Sequence, residues 1–205
     1  MAKAMNIFYP VKSGLYVNLT NKCPCSCVFC LRQTMDSVGG AETLWLERSP
    51  AWEEIEEAFG RVDLSQYSEV VFCGFGEPTE ELENLLRLAG EIKKANGSMP
   101  IRVNTNGLGS LVNGKNIAPL FEGLIDEVSV SLNAPDKERY LEVARPRFGI
   151  DSFAAMLSFV REVKKYVKKV VLTSVSTVLT PEEEARSAAL CGELGVSYRI
   201  RKWEE

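Results

Sequence analysis

Leu15-Tyr16-Val17-Asn18-Leu19-Thr20-Asn21-Lys22-Cys23-Pro24-Cys25-Ser26-Cys27-Val28-Phe29-Cys30 decides how the rest of the chain is read. Its first half alternates with the period of a strand. Leu15, Val17 and Leu19 fall on one face, and Tyr16, Asn18 and Thr20 on the other. Its second half crowds four cysteines into eight residues, and Cys23, Cys27 and Cys30 stand at C-x3-C-x2-C spacing. Three thiolates on one short loop can hold three corners of a cubic iron–sulfur cluster. The fourth iron is then left without a ligand from the loop, and an open metal position marks a reactive centre rather than a structural one.

Outward from this stretch, strand and helix signals alternate. The first strand is expected over 15–21, and a helix over about 50–59 with Ser49 as N-cap and Pro50 at its first position. A second strand covers 70–75. Residues 79–96 form a long amphipathic helix, with Leu82, Leu85, Leu86, Leu88 and Ile92 on one face and Gly97 as a stop. Strands at 101–106 and 128–133 flank a short helix near 117–124. Helices over about 136–143 and 152–167 precede a fifth strand at 170–178. Thr180 and Glu183 form a capping-box pattern that opens a helix ended by Gly195, and 198–203 is a sixth strand. Six β–α units in series imply parallel strands with right-handed crossovers. The expectation is an α/β fold, one domain over 1–205, built as a partial (β/α)6 TIM-like barrel.

The cysteine loop spans 22–31, and the connection 31–48 behind it lacks periodicity. It contains Gly39-Gly40 and ends in an apolar patch, Leu44-Trp45-Leu46. It is a candidate lid or partner-docking segment; a loop whose Trp45 packs on the barrel wall fits equally well.

The chain has 205 residues, 45% of them hydrophobic, enough for one full core. A formal net charge of −4 gives no sign of an electrostatic nucleic-acid binder. With no apolar run long enough to span a membrane and no leader pattern, a cytoplasmic protein is expected. There is no histidine, which removes Ser-His and Cys-His nucleophile pairs and histidine-ligated zinc. Catalysis must come from a cofactor or from carboxylates, thiols, lysines and arginines.

The other strands repeat the polar face of the first. Arg102, Asn104 and Asn106 oppose Ile101 and Val103; Ser129, Ser131 and Asn133 oppose Val128, Val130 and Leu132; Arg199 and Arg201 oppose Tyr198 and Ile200. Helices covering the apolar faces would leave the polar faces lining a cavity. Arg102, Arg199 and Arg201 there suit capture of a carboxylate or phosphate. An open sheet with its polar side in water is the plainer alternative.

The cluster Cys23, Cys27, Phe29, Cys30 after the first strand resembles the radical S-adenosylmethionine (SAM) superfamily. The resemblance implies a [4Fe-4S] cluster on Cys23, Cys27 and Cys30 whose open iron chelates the amino and carboxylate groups of SAM. It also implies reductive cleavage of SAM to methionine and a 5′-deoxyadenosyl radical that abstracts hydrogen from a substrate. Gly74-Phe75-Gly76-Glu77-Pro78 resembles the family's Gly-Gly-Glu-Pro turn, with Phe75 in place of the first motif glycine. There glycine lets the backbone approach the ligand, and Glu77 is expected to pair with the SAM ammonium. Asn104-Thr105-Asn106-Gly107 and Ser131-Leu132-Asn133 are similar to positions that bind the ribose hydroxyls and the methionine end, and Phe29 is placed to contact adenine.

Longer stretches (15–23, 44–47, 74–79 and 131–135) resemble the small radical SAM proteins associated with TatD-family hydrolases. That resemblance implies a functional link but no reaction. The family resemblance further implies a reductant protein such as flavodoxin or ferredoxin. An incomplete barrel would admit a large substrate, whether peptide, protein or nucleotide-containing molecule. Two other readings stay open. Cys25 could complete a four-thiolate zinc knot in a non-catalytic binding module; or Cys25 or Cys73 could supply a fourth ligand to an electron-transfer cluster. Cys191 reads as helix packing.

Overall fold

In the computed structural model, which describes residues 4–37 and 43–202, the chain enters its sheet as a hairpin. Strand β1 (Phe8–Val11) runs antiparallel to β2 (Gly14–Val17), and Lys12 takes the left-handed conformation in the turn between them. Then follow β3 (Glu69–Phe72), β4 (Ile101–Thr105), β5 (Glu127–Ser131), β6 (Lys169–Val175) and β7 (Ser197–Arg201), each parallel to the strand before it. Spatial order equals chain order, and among the described residues β1 and β7 are the two edges of an open barrel. The six parallel strands match the expectation. The antiparallel β1 is an addition, because Tyr9-Pro10-Val11 carries no alternation that marks a strand by itself.

Helices α1 (Trp52–Phe59), α2 (Leu82–Ala95), α3 (Gly109–Val112), α4 (Lys137–Ala144), α5 (Ser152–Val163) and α6 (Pro181–Leu194) cover the apolar face of the sheet. Helix α2 shows why they form. Leu82, Leu85, Leu88, Ala89 and Ile92 are buried at helical spacing, each large side chain contributing about 2 kcal/mol. They meet Val17, Val70, Phe72, Ile101 and Val103 in one continuous core. The capping box of α6 is present: Glu183 N donates to Thr180 Oγ1 at 3.2 Å and Thr180 N to Glu183 Oε2 at 2.9 Å. Gly195 ends the helix at φ 64°.

Several boundaries move. Helix α1 starts two residues later than expected, because the Ser49 hydroxyl pairs with Thr20 and the Glu54 carboxylate takes the Ala51 N–H. Residues 78–81 form a 3-10 turn ahead of α2, and the expected helix near 117–124 is a 3-10 turn at Ala118–Phe121. The first and second strands stop short of the motif residues that follow them, and β5 ends at Ser131, which leaves Leu132 and Asn133 in the turn beyond. Gly39-Gly40 and Trp203 fall outside the described residues.

The inner face is less polar than the alternation implies. Tyr9, Leu44 and Phe75 form a second buried cluster with Val11, Tyr16 and Trp45, filling the barrel beside β1–β3. The end of the 31–48 connection is docked: Leu44 and Leu46 are buried, and Asn21 makes a two-way pair with the Leu46 backbone at 2.7 and 3.1 Å. Trp45 lies edge-on to Phe75 at 5.2 Å.

Candidate active site

The cysteine loop is held from three sides. Ser26 N donates to Ala144 O at 3.1 Å, Val28 N to Val143 O at 2.9 Å, and Arg147 N to Pro24 O at 2.8 Å, with a bridge between Cys25 and Pro146. The C-terminus of α4 therefore clamps the loop. This costs backbone strain, since Arg145 is left-handed (φ 46°) immediately before a proline. The Arg32 guanidinium reaches from inside, donating to Asn21 O at 3.3 Å and Cys25 O at 3.2 Å. On the third side the turn after β3 presses against the loop's root, and Glu77 N donates to Lys22 O at 2.8 Å.

Cys23, Cys27 and Cys30 are partly exposed, whereas Cys25 is buried. The Cys25 thiol lies beside the sulfurs of Cys23 and Cys27 and favours their ionised forms over its own. That holds those two thiols below the usual cysteine range and pushes Cys25 above it; burial pushes Cys30 up. Among the described residues, no three of the cysteine, aspartate or glutamate side chains converge on a point suited to a single metal ion. Soft sulfur donors on a rigid loop, with a fixed guanidinium behind them, suit a larger thiolate-ligated cluster.

Glu77 organises the neighbouring turns. Its carboxylate is buried, and both oxygens are taken by this chain: Oε1 accepts from Thr105 Oγ1 at 2.6 Å, Thr79 Oγ1 at 2.8 Å and Thr79 N at 3.2 Å, and Oε2 from Asn106 N at 2.8 Å. Burial raises its pKa while these donors oppose the rise. The glycines around it serve close approach within the fold. A Cβ on Gly74 would meet Asn18 Oδ1 at 2.1 Å. Gly107, at φ 78°, sits against Met156 and Val130. Phe75 packs on Trp45 rather than facing the mouth of the barrel.

At the end of β5, Ser131 is half-buried. Asn133 is left-handed (φ 57°), with a buried Oδ1 that no group of the described chain satisfies. A groove of about 600 Å³ opens beside Phe29, lined also by Val28, Arg139, Arg145, Thr177 and Val178. Thr177 is left-handed at φ 77°, an outlier for a β-branched residue. Asn133, Arg145 and Thr177 place three of the four described positive-φ non-glycine residues around the mouth. Sequence reading missed Arg139, Arg145 and Thr177. The single signal was Arg145-Pro146, which ends a helix but does not say what the end holds.

The three candidate arginines sit on two strands, β4 and β7. Arg102 lies near the start of β4 in a bidentate pair with Glu69, at 2.8 and 3.2 Å, and also donates to Asn104 at 3.2 Å. Arg199 and Arg201 share one face of the edge strand β7 and are exposed. Arg201 and Arg102 both lower the Cys73 thiol pKa electrostatically, but burial is the larger effect and raises it. No described helix is long and apolar enough to cross a membrane.

The fold agrees with comparisons to known proteins. The model of the radical SAM superfamily matches residues 17–190. A curated relative, GTP 3′,8-cyclase of Corynebacterium glutamicum, is 30% identical over 148 residues, which cover 67% of this chain and 35% of the relative. Streptococcus suis SuiB bound to the precursor peptide SuiA superposes with a TM-score of 0.68 at 17% identity, over 94% of this chain and 40% of that one. Methylornithine synthase (PylB) gives 0.63 at 17% identity, over 93% of this chain and 53% of that one. The chain belongs to the radical SAM superfamily. It spans about a third of the length of its curated relative.

Proposed function

We propose that the chain is the core of a radical SAM enzyme in which Cys23, Cys27 and Cys30 hold a [4Fe-4S] cluster. SAM lies across the C-terminal ends of β3–β6, and an organic substrate enters the open barrel. When bound, the two groups supply reductive cleavage of the sulfonium and hydrogen abstraction from the substrate. The observation that carries this reading is the Glu77 carboxylate. It joins the turn after β3 to Thr105 and Asn106 after β4, while its own backbone N–H holds the root of the cysteine loop.

The chain's residues then divide by task. Glu77, Gly74 and Gly76 position the SAM-facing turn; with both oxygens engaged, the Glu77 carboxylate is a positioning group rather than the ammonium partner. Phe29 and the groove beside it receive the adenine. Asn133 Oδ1, buried and unpaired, is an acceptor for a ligand hydroxyl or ammonium, with Ser131 beside it. Asn104 and Cys73 line the cavity. Glu69 already neutralises Arg102, which leaves Arg199, exposed on β7, as the candidate for an anionic group of the substrate, with Arg201 on the same face.

A reductant protein of the flavodoxin or ferredoxin kind would deliver its electron at the cysteine loop, where Val28 is exposed. The open edge beside β7 suits a peptide, protein or nucleotide-containing substrate. The link to a TatD-family hydrolase rests on the sequence stretches quoted above, and a cytoplasmic setting on reduced, clustered cysteines.

The test is anaerobic SAM cleavage. Wild-type protein with a reconstituted, dithionite-reduced cluster should release 5′-deoxyadenosine, and Cys27→Ala should not. No cleavage, together with a paramagnetic resonance signal unchanged by SAM, would overturn the reading in favour of electron transfer or a structural site.

A further inference from the structure

Asn106 is fixed at two points and presents its remaining donor to a cysteine ligand. Its backbone N–H donates to Glu77 Oε2 at 2.8 Å, and its Oδ1 accepts from Leu108 N at 2.9 Å. The second bond sets the orientation of the amide. Exchanging Oδ1 and Nδ2 would set the amide hydrogens against the Leu108 N–H and turn the carbonyl toward a thiolate. In the orientation present, Nδ2 lies 3.8 Å from Cys23 Sγ, within hydrogen-bond reach of a sulfur acceptor.

We propose that Asn106 is a positioning residue for the cluster, donating an amide hydrogen bond to the Cys23 thiolate and thereby raising the cluster's reduction potential. This rests on the reading of Cys23 as a cluster ligand. A cluster gains negative charge on one-electron reduction, and its sulfurs share that charge. A fixed N–H donor to one of them therefore stabilises the reduced form more than the oxidised form. The geometry is specific to a donor. Thr105, one residue earlier, turns its hydroxyl to Glu77 instead, and Gly107, one residue later, has no side chain.

Two variants separate this role from the structural one. Asn106→Asp keeps Oδ1 for Leu108 N but loses the donor and adds a charge. Asn106→Ser keeps a short acceptor near Leu108 N and cannot reach Cys23. The measurement is a dithionite titration of each reconstituted protein without SAM, followed by paramagnetic resonance, beside iron and sulfide content. Both variants should load the cluster as wild type does, and both midpoints should move to more negative potential. For Asp the oxidised-to-reduced ratio at fixed potential should rise about tenfold, equivalent to about 59 mV for one electron, and for Ser by less.

Unchanged midpoints in both variants overturn the proposal. So does a shift in Asp alone, which would be the effect of its added charge. Failure of both variants to load iron would assign Asn106 to assembly and overturn it too. If wild-type protein takes up no iron and sulfide, the cluster reading itself fails and this inference fails with it.

Discussion

A Cβ on Gly76 would stand 2.2 Å from the carbonyl oxygen of Thr20, so the turn after β3 touches the root of the cysteine loop backbone to backbone. The Lys22 carbonyl oxygen would lie 2.7 Å from the same atom. Neither neighbour can rotate away. Gly76→Ala should therefore push the two segments apart and break the Glu77 N–Lys22 O bond. We expect a loss of about 3 kcal/mol in urea denaturation and a fall in bound iron. Gly90, inside α2 with nothing within 4 Å of an added Cβ, is the control. Gly90→Ala should stabilise by about 0.5–1 kcal/mol. Equal midpoints for the two variants would refute the close-approach argument.

Glu77 answers to four donors, two of them backbone N–H groups that have no other partner at hand. Glu77→Gln keeps the shape but must turn an amide nitrogen toward some of those donors. It should cost about 2 kcal/mol, and Glu77→Ala more, because buried donors are left unpaired. Calorimetric melting of the apo-proteins reads this directly. A melting temperature for Glu77→Gln equal to that of wild type would mean that the carboxylate is not holding the turns.

How far the chain could be read beforehand follows from the same residues. The parallel strands, α2 and α6 were legible because their burial follows the helix or strand period and their ends carry local signals, Gly195 and the Thr180–Glu183 box among them. Strand β1 was not, since a four-residue edge strand containing Pro10 depends on its partner β2 rather than on its own pattern. The candidate ligands Cys23, Cys27 and Cys30 rest on spacing alone. The clamp at Arg145-Pro146 was not legible, because it joins segments more than a hundred residues apart through backbone atoms. Arg102 looked available only because its partner Glu69 sits on the adjacent strand, and a sequence does not display cross-strand register.

Arg32 bonds two carbonyls that bracket Cys23, Asn21 O and Cys25 O. A lysine can reach one of them but cannot fork between both. Arg32→Lys should keep the electrostatic part and lose part of the bracing. Arg32→Met should lose both, with a graded fall in iron content after reconstitution and faster release of iron to a chelator. Equal chelation rates in all three proteins would remove Arg32 from the account of the loop.

At the far end of the barrel, Asp126 joins three elements. Lys93 Nζ of α2 lies 2.7 Å from Oδ2, Lys168 Nζ ahead of β6 lies 2.6 Å from Oδ1, and Ile101 N of β4 donates to Oδ2 at 2.9 Å. Burial opposes ionisation, but the two ammonium groups and the backbone donor outweigh it and hold the carboxyl at about 2, against an ordinary 3.8. The folded pKa is depressed, so the stabilisation is fully present above the ordinary value and is lost as pH falls from 3.8 toward 2. The site is partly exposed, and screening reduces the contribution to on the order of 1 kcal/mol. Asp126→Asn should lower stability at pH 7 by about that amount and flatten this part of the acid limb. Its difference from wild type should shrink as pH falls toward 2 and vanish below it. An Asn variant whose deficit persists unchanged at pH 2 would assign the loss to packing instead of charge. Bound iron should be the same in both proteins, because Asp126 lies at the opposite end of the strands from Cys23.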